Sequence, residues 1–146
     1  MYIPDDLAKG AVFFYLGQCL QFMERYQEAK EQFDNSAQTQ YVNDIFKCFI
    51  VKFAIGKVLQ ALGDHAQAIK VFDYCLTLND KSSHALFRRA WSHKALGDYI
   101  KAGEDFESAK NLRPDDPNFA IDYKRIAKCE YMIVHSDPDL IEPFHS

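Results

Sequence analysis

What this chain has little of narrows its roles before any element is placed. It has no excess of positive charge: 17 Lys and Arg against 21 Asp and Glu leave a net charge of −4. That excludes a broadly basic nucleic-acid surface. Cys19, Cys48, Cys75 and Cys129 stand far apart, with no CxxC pair and no Cys/His cluster at zinc spacing. They point to thiols in a reducing, intracellular and cytoplasmic setting rather than to a disulfide frame. Cys19 and Cys75 fall on helix positions that face a neighbour and read as small core residues. No charged-then-apolar leader follows Met1, so no secretory signal is expected. Long apolar runs are scarce as well. The strongest, Ile45 to Leu62, carries Lys47, Lys52 and Lys57, each costly at bilayer depth, so it reads as a helix in water and no membrane partner is expected. HExxH, a glycine-rich phosphate loop and a nucleophile elbow are all missing, and the carboxylates are scattered. Neither an enzyme nor a bound metal or cofactor is expected.

What is present is a repeat. Glycine and proline fall in the expected turns, and the unit between Ser83 and Asp116 is complete. Up to Leu96 the pattern is helical, Gly97 can take the positive φ that closes a helix, and Asp98 can cap the next one. Ala102 and Phe106 lie four apart, on one face of a second helix, which Pro114 ends. Shifted back by a period of ~34 residues, Gly63-Asp64-His65 fall under Gly97-Asp98-Tyr99. Ala68, Phe72, Cys75 and Leu78 fall under Ala102, Phe106, Ala109 and Leu112. Phe13, Leu16, Gly17, Leu20, Tyr26, Ala29 and Phe33 form a third copy once an insertion of about five residues is allowed beyond that period.

From Gly10 to Asp116 the chain therefore resembles the tetratricopeptide repeat family. The resemblance implies an all-α, right-handed α-solenoid of three helical hairpins, over about 10–43, 49–82 and 83–116, within a single domain 1–135. A capping helix is expected over about 117–135, with an acidic and apolar tail over 136–146. Lys52 stands where the family carries a large residue, and Asp80 replaces the closing proline. His93, at a core position, reads as a hydrogen-bonded core histidine rather than a ligand.

In chain order, helices are expected over Leu7–Phe22, with Asp5 and Asp6 just before it, and over Gln27–Ala37. The insertion falls in Gln38–Asn43. A long third helix then runs from about Asp44, capped by Asn43 or Asp44, to Leu62. Three more are expected from His65 or Gln67 to Leu78, over Ser83–Leu96 and over Tyr99–Leu112, before the capping helix.

A protein-interaction role, as a scaffold or adaptor, follows from the resemblance, which also implies which residues of each first helix line a concave groove. Among them Phe14, Phe53 and Phe87 share one position in successive units, with Trp91 a turn beyond, giving an aromatic ladder. The candidate partner-binding residues are Phe14, Tyr15, Gln18, Phe53, Lys57, His84, Phe87, Arg88, Trp91 and Lys94. Burial of the ladder in the core is the competing reading. Aromatic anchors dominate binding energy, and Lys57, Arg88 and Lys94 favour an acidic, partly apolar peptide or helix. The family's clamp for acidic chaperone C-terminal peptides falls here on Phe14, Gln18, Ala54, His84 and Arg88, of which only Arg88 matches. The tail residues Leu140, Ile141 and Phe144, among acids, have the chemistry such a groove accepts. A rival role is self-association through an exposed first helix, Phe13 to Phe22, so a monomer or weak homodimer is expected.

Overall fold

The structure is a computed structural model that describes residues 5–115. The expected capping helix and tail lie outside the described residues. Among those residues are six α-helices: α1 Asp5–Phe22, α2 Tyr26–Ala37, α3 Ile45–Ala61, α4 His65–Leu78, α5 Ser83–Ala95 and α6 Tyr99–Leu112. A short 3-10 helix, Gln40–Asn43, follows α2. Two compact units result, one up to Asp80 and one from Lys81.

Local chemistry sets the helix boundaries. Asp44 caps α3 by accepting from the amides of Phe46 and Lys47. Asp64, Ser82 and Asp98 cap α4, α5 and α6 in the same way, each accepting from the amide three residues on. Asp5 and Asp6 lie inside the first turn of α1 rather than before it, where carboxylates still meet the positive end of the helix. Each hairpin closes alike: the amides of Arg25, Asp64 and Asp98 donate to the carbonyls of Leu20, Leu59 and His93 over 2.9 Å. This closure needs a left-handed residue, supplied by Gly63 and Gly97 at φ 82° but by Glu24 at φ 60° in the first hairpin.

The other glycines correct the expectation that they mark turns. Gly10, Gly17, Gly56 and Gly103 are buried inside helices. Gly17 and Gly56 lie where the rings of Phe33 and Phe72 press onto the helix backbone.

In the first unit α1 packs on α2 and α3 on α4, with α2 also against α3. Ala29, Phe33, Ala68 and Phe72 have no exposed surface and centre its core with Val51 and Val58. The inserted segment is folded onto this core. Gln40 donates its amide to the Asp6 carboxylate over 2.7 Å, Ser36 Oγ donates to the Gly10 carbonyl over 2.8 Å, and Tyr41 is buried. Cys75 is buried as expected; Cys19 is exposed, because it lies on the side of α1 away from α2 and so is not a core residue.

In the second unit α5 packs on α6. Ala90, Ala102 and Phe106 form the core, with Phe87, Trp91 and Tyr99 packed against it. Arg89 holds Asp105 through two hydrogen bonds of 2.7 Å. His93 Nε2 lies 3.9 Å from the same carboxylate, so it is a half-buried histidine beside an ion pair.

Candidate functional site

The candidate residues divide by environment. In the second unit, α5 presents Phe87 and Trp91 one turn apart. Both are half-buried, each with its ring edge-on to Phe106, at 5.4 and 5.6 Å, and the two rings are 6.1 Å from each other. Phe106 thus fixes the two rings from below and leaves part of each uncovered. Lys94 Nζ stands 4.4 Å from the centroid of the Trp91 ring, a distance at which the ring quadrupole attracts the ammonium. His84 and Arg88 are exposed on the same helix.

The first unit repeats this arrangement on α3. Phe53 is half-buried, 5.7 Å from Phe72 and stacked at 5.8 Å on Phe49. Lys57 Nζ lies 5.3 Å from the Phe53 ring. Each of these hairpins therefore carries an aromatic on its first helix, anchored by the phenylalanine of the second, with a lysine ammonium over it.

Phe14 does not belong to this set. Only 6% of it is exposed, and its ring packs against Phe33 at 5.8 Å and Tyr41 at 6.1 Å. Among the described residues only the first hairpin is followed by a 3-10 segment, and that segment brings Tyr41 over Phe14. The expectation of three equivalent aromatics is corrected to two. Tyr15 and Gln18 remain exposed on α1. Tyr41 is the residue that sequence reasoning missed, although the insertion carrying it was visible. Burial, then the neighbouring Tyr15 and Asp44, raise the pKa of its phenol, and Lys47 Nζ lies 5.1 Å from its ring.

Among the described residues no group of three or more His, Cys, Asp or Glu side chains could hold a metal ion. No helix among them is long and apolar enough to cross a membrane.

Residues 51–82 and 83–116 match the tetratricopeptide repeat family profile. These segments are tetratricopeptide repeats, as the spacing of Gly63, Ala68 and Phe72 against Gly97, Ala102 and Phe106 requires. No curated protein matches the chain. Solved structures similar to it include the first tetratricopeptide domain of human RPAP3, at 18% identity and a TM-score of 0.77, over 90% of this chain and 99% of that one. The first repeat domain of Spaghetti (RPAP3), bound to the HSP90 peptide SRMEEVD, aligns at 18% identity and 0.76, over 85% and 94%. The Yersinia enterocolitica type III secretion chaperone SycD, in complex with a peptide of the translocator YopD, aligns at 19% and 0.69, over 87% and 94%. These likenesses establish the all-α tetratricopeptide fold.

Proposed function

We propose that this chain is a scaffold or adaptor module that binds an acidic, partly apolar peptide or helix through the Phe87, Trp91 and Lys94 element of its third hairpin. The observation that carries the reading is Lys94 held 4.4 Å from the Trp91 ring. An indole that is half-covered offers apolar area at little conformational cost, and the Lys94 ammonium at its rim selects carboxylate-bearing side chains. Phe53 with Lys57 offers the same pairing in the other unit. Support for a peptide ligand comes from the fold's neighbours, one holding an HSP90 peptide and one a translocator peptide.

A chaperone-tail clamp is not the reading we adopt. Two of the positions that would form it, Phe14 and Ala54, are buried apolar side chains, and no lysine stands at any of them.

Trp91 is the only tryptophan, so its emission reports ligand directly. Peptides combining Asp or Glu with Leu, Ile or Phe should change that emission saturably, and Lys94→Glu should weaken the response about tenfold, with SRMEEVD as the comparison ligand. Equal responses to peptides whose carboxylates are replaced by amides would overturn the reading.

A further inference from the structure

Where α2, α3 and α4 meet, the first unit carries a groove walled by all three helices. One hollow of about 340 Å³ has Ile55, Leu59 and Val71 among its lining, with Lys30 on the α2 side and Lys52 on the α3 side. The acids at this hollow, Asp34 and Asp64, are already engaged, one with Lys30 over 2.7 Å and one with the amide of Gln67. A second hollow of about 350 Å³ is lined by Lys52, Lys70, Val71 and Tyr74. The two meet at Lys52 and Val71, which line both.

The sequence explains why the second hairpin is open here. At the repeat period of ~34 residues, Lys52 corresponds to Leu86 of the third hairpin, which is buried. A lysine keeps its ammonium toward water and cannot fill that place; Lys52 is half-buried and its Nζ stands 5.7 Å from the Tyr74 ring centroid. Ile55, Leu59 and Val71 correspond to Arg89, His93 and Asp105, where the third hairpin instead joins an arginine to a carboxylate beside a histidine. The second hairpin thus offers apolar surface at the positions that carry this polar cluster in the third.

The two hollows differ in what they favour. Ile55, Leu59 and Val71 suit an apolar side chain. Among the described residues neither Lys52 nor Lys70 has a carboxylate partner, so the hollow they share with Tyr74 suits an anion. From Gln67 to Tyr74 the groove follows about two turns of α4, about 10 Å at a rise of ~1.5 Å per residue. An extended chain at ~3.3 Å per residue crosses that length in about three residues, with its first and third side chains on the same face.

We infer that this groove binds an extended segment of a partner protein in which an apolar and an acidic side chain lie two residues apart. The apolar side chain rests on Ile55, Leu59 and Val71, and the carboxylate enters between Lys52 and Lys70 beside Tyr74. This site shares no residue with the Phe87, Trp91 and Lys94 element and stands independently of it.

The test is the fluorescence anisotropy of a fluorescein-labelled, C-amidated peptide, Ser-Pro-Leu-Ser-Glu-Ser, titrated with the full chain carrying Lys94→Glu, so that the α5 element contributes little. Saturable binding is expected, with a Kd between ~10 and ~500 µM. Lys70→Glu reverses an exposed charge, and Lys52→Leu installs the residue type of Leu86 and closes the groove. Each, added to Lys94→Glu, is expected to raise the Kd at least tenfold with unchanged circular dichroism. Absence of saturable binding overturns the proposal, as does undiminished binding by either variant or equal binding of a peptide with Gln in place of Glu. Octanoate carries an apolar group and a carboxylate without a peptide chain. If it displaces the labelled peptide as well as unlabelled peptide does, the occupant is a small amphiphile and the proposal fails. Dimerisation of the wild type that is lost in Lys52→Leu, read by light scattering, would assign the groove to a second copy and overturn it too.

Discussion

Gly56 lies under the ring of Phe72, so closely that a Cβ on it would stand 2.5 Å from Phe72 Cε1. Gly17 has the same relation to Phe33, at 2.6 Å. Neither ring can retreat, since both are fully buried. Gly56→Ala should therefore destabilise the protein by ~1–3 kcal/mol through overpacking, despite the better helix propensity of alanine. Urea titration followed by circular dichroism measures it, and an unchanged or raised midpoint would contradict the close packing.

Glu24 takes the position in the first hairpin that Gly63 and Gly97 take in the others, with φ at 60° against 82°. A side chain in left-handed backbone costs about 1 kcal/mol. Glu24→Gly is expected to recover much of that, raising the denaturation midpoint slightly. Gly97→Ala should lower stability by a similar amount. The opposite signs make the pair informative.

Asp105 is nearly buried and receives both hydrogen bonds of Arg89. Replacing Arg89 by Met leaves that carboxylate without its main partner, and a loss of roughly 3 kcal/mol is expected. The double variant Arg89→Met with Asp105→Leu should be less damaging than Arg89→Met alone, because the stranded charge is gone. Denaturation of the four proteins in the cycle decides it.

Burial, with Cys48 nearby, pushes the Cys75 thiol up to about 12. In the native protein at pH 8 Cys75 should resist a thiol reagent that labels the exposed Cys19, and become reactive only on unfolding. The same shift gives a pH dependence. The unfolded thiol ionises near its ordinary value of 9.0, so the stability linked to this group is complete below that pH. It is lost as pH rises from there toward 12, because the unfolded state alone releases the proton. Melting wild type and Cys75→Ala between pH 7 and 11 separates this contribution from other titrations.

Much of the fold was legible. The Ala and Phe pairs on the second helices are fully buried in all three hairpins, and the caps at Asp44, Asp64 and Asp98 form where helix-start chemistry puts them. These features depend on residues within a turn of one another or on a fixed period. The 3-10 segment was legible only as an insertion, since its shape depends on contacts with Asp6 and the core. For the candidate site, the pairing of Trp91 with Lys94 is a local helix relation and could be foreseen. The burial of Phe14 could not, because its cover comes from Tyr41, on a different element.

The sequence by itself determined the hairpins: helix periodicity, caps and turn glycines are written in neighbouring residues and leave few alternatives. Tertiary structure alone decided which apolar faces are covered. Val12 and Val51 are the same residue at corresponding places on α1 and α3, yet Val12 is 63% exposed and Val51 is 0% exposed. The difference lies in the neighbours: α2 packs against α3, and Val51 lies in the core of the first unit while Val12 does not. Hydrophobicity is a property of the side chain, whereas burial belongs to whatever stands beside it.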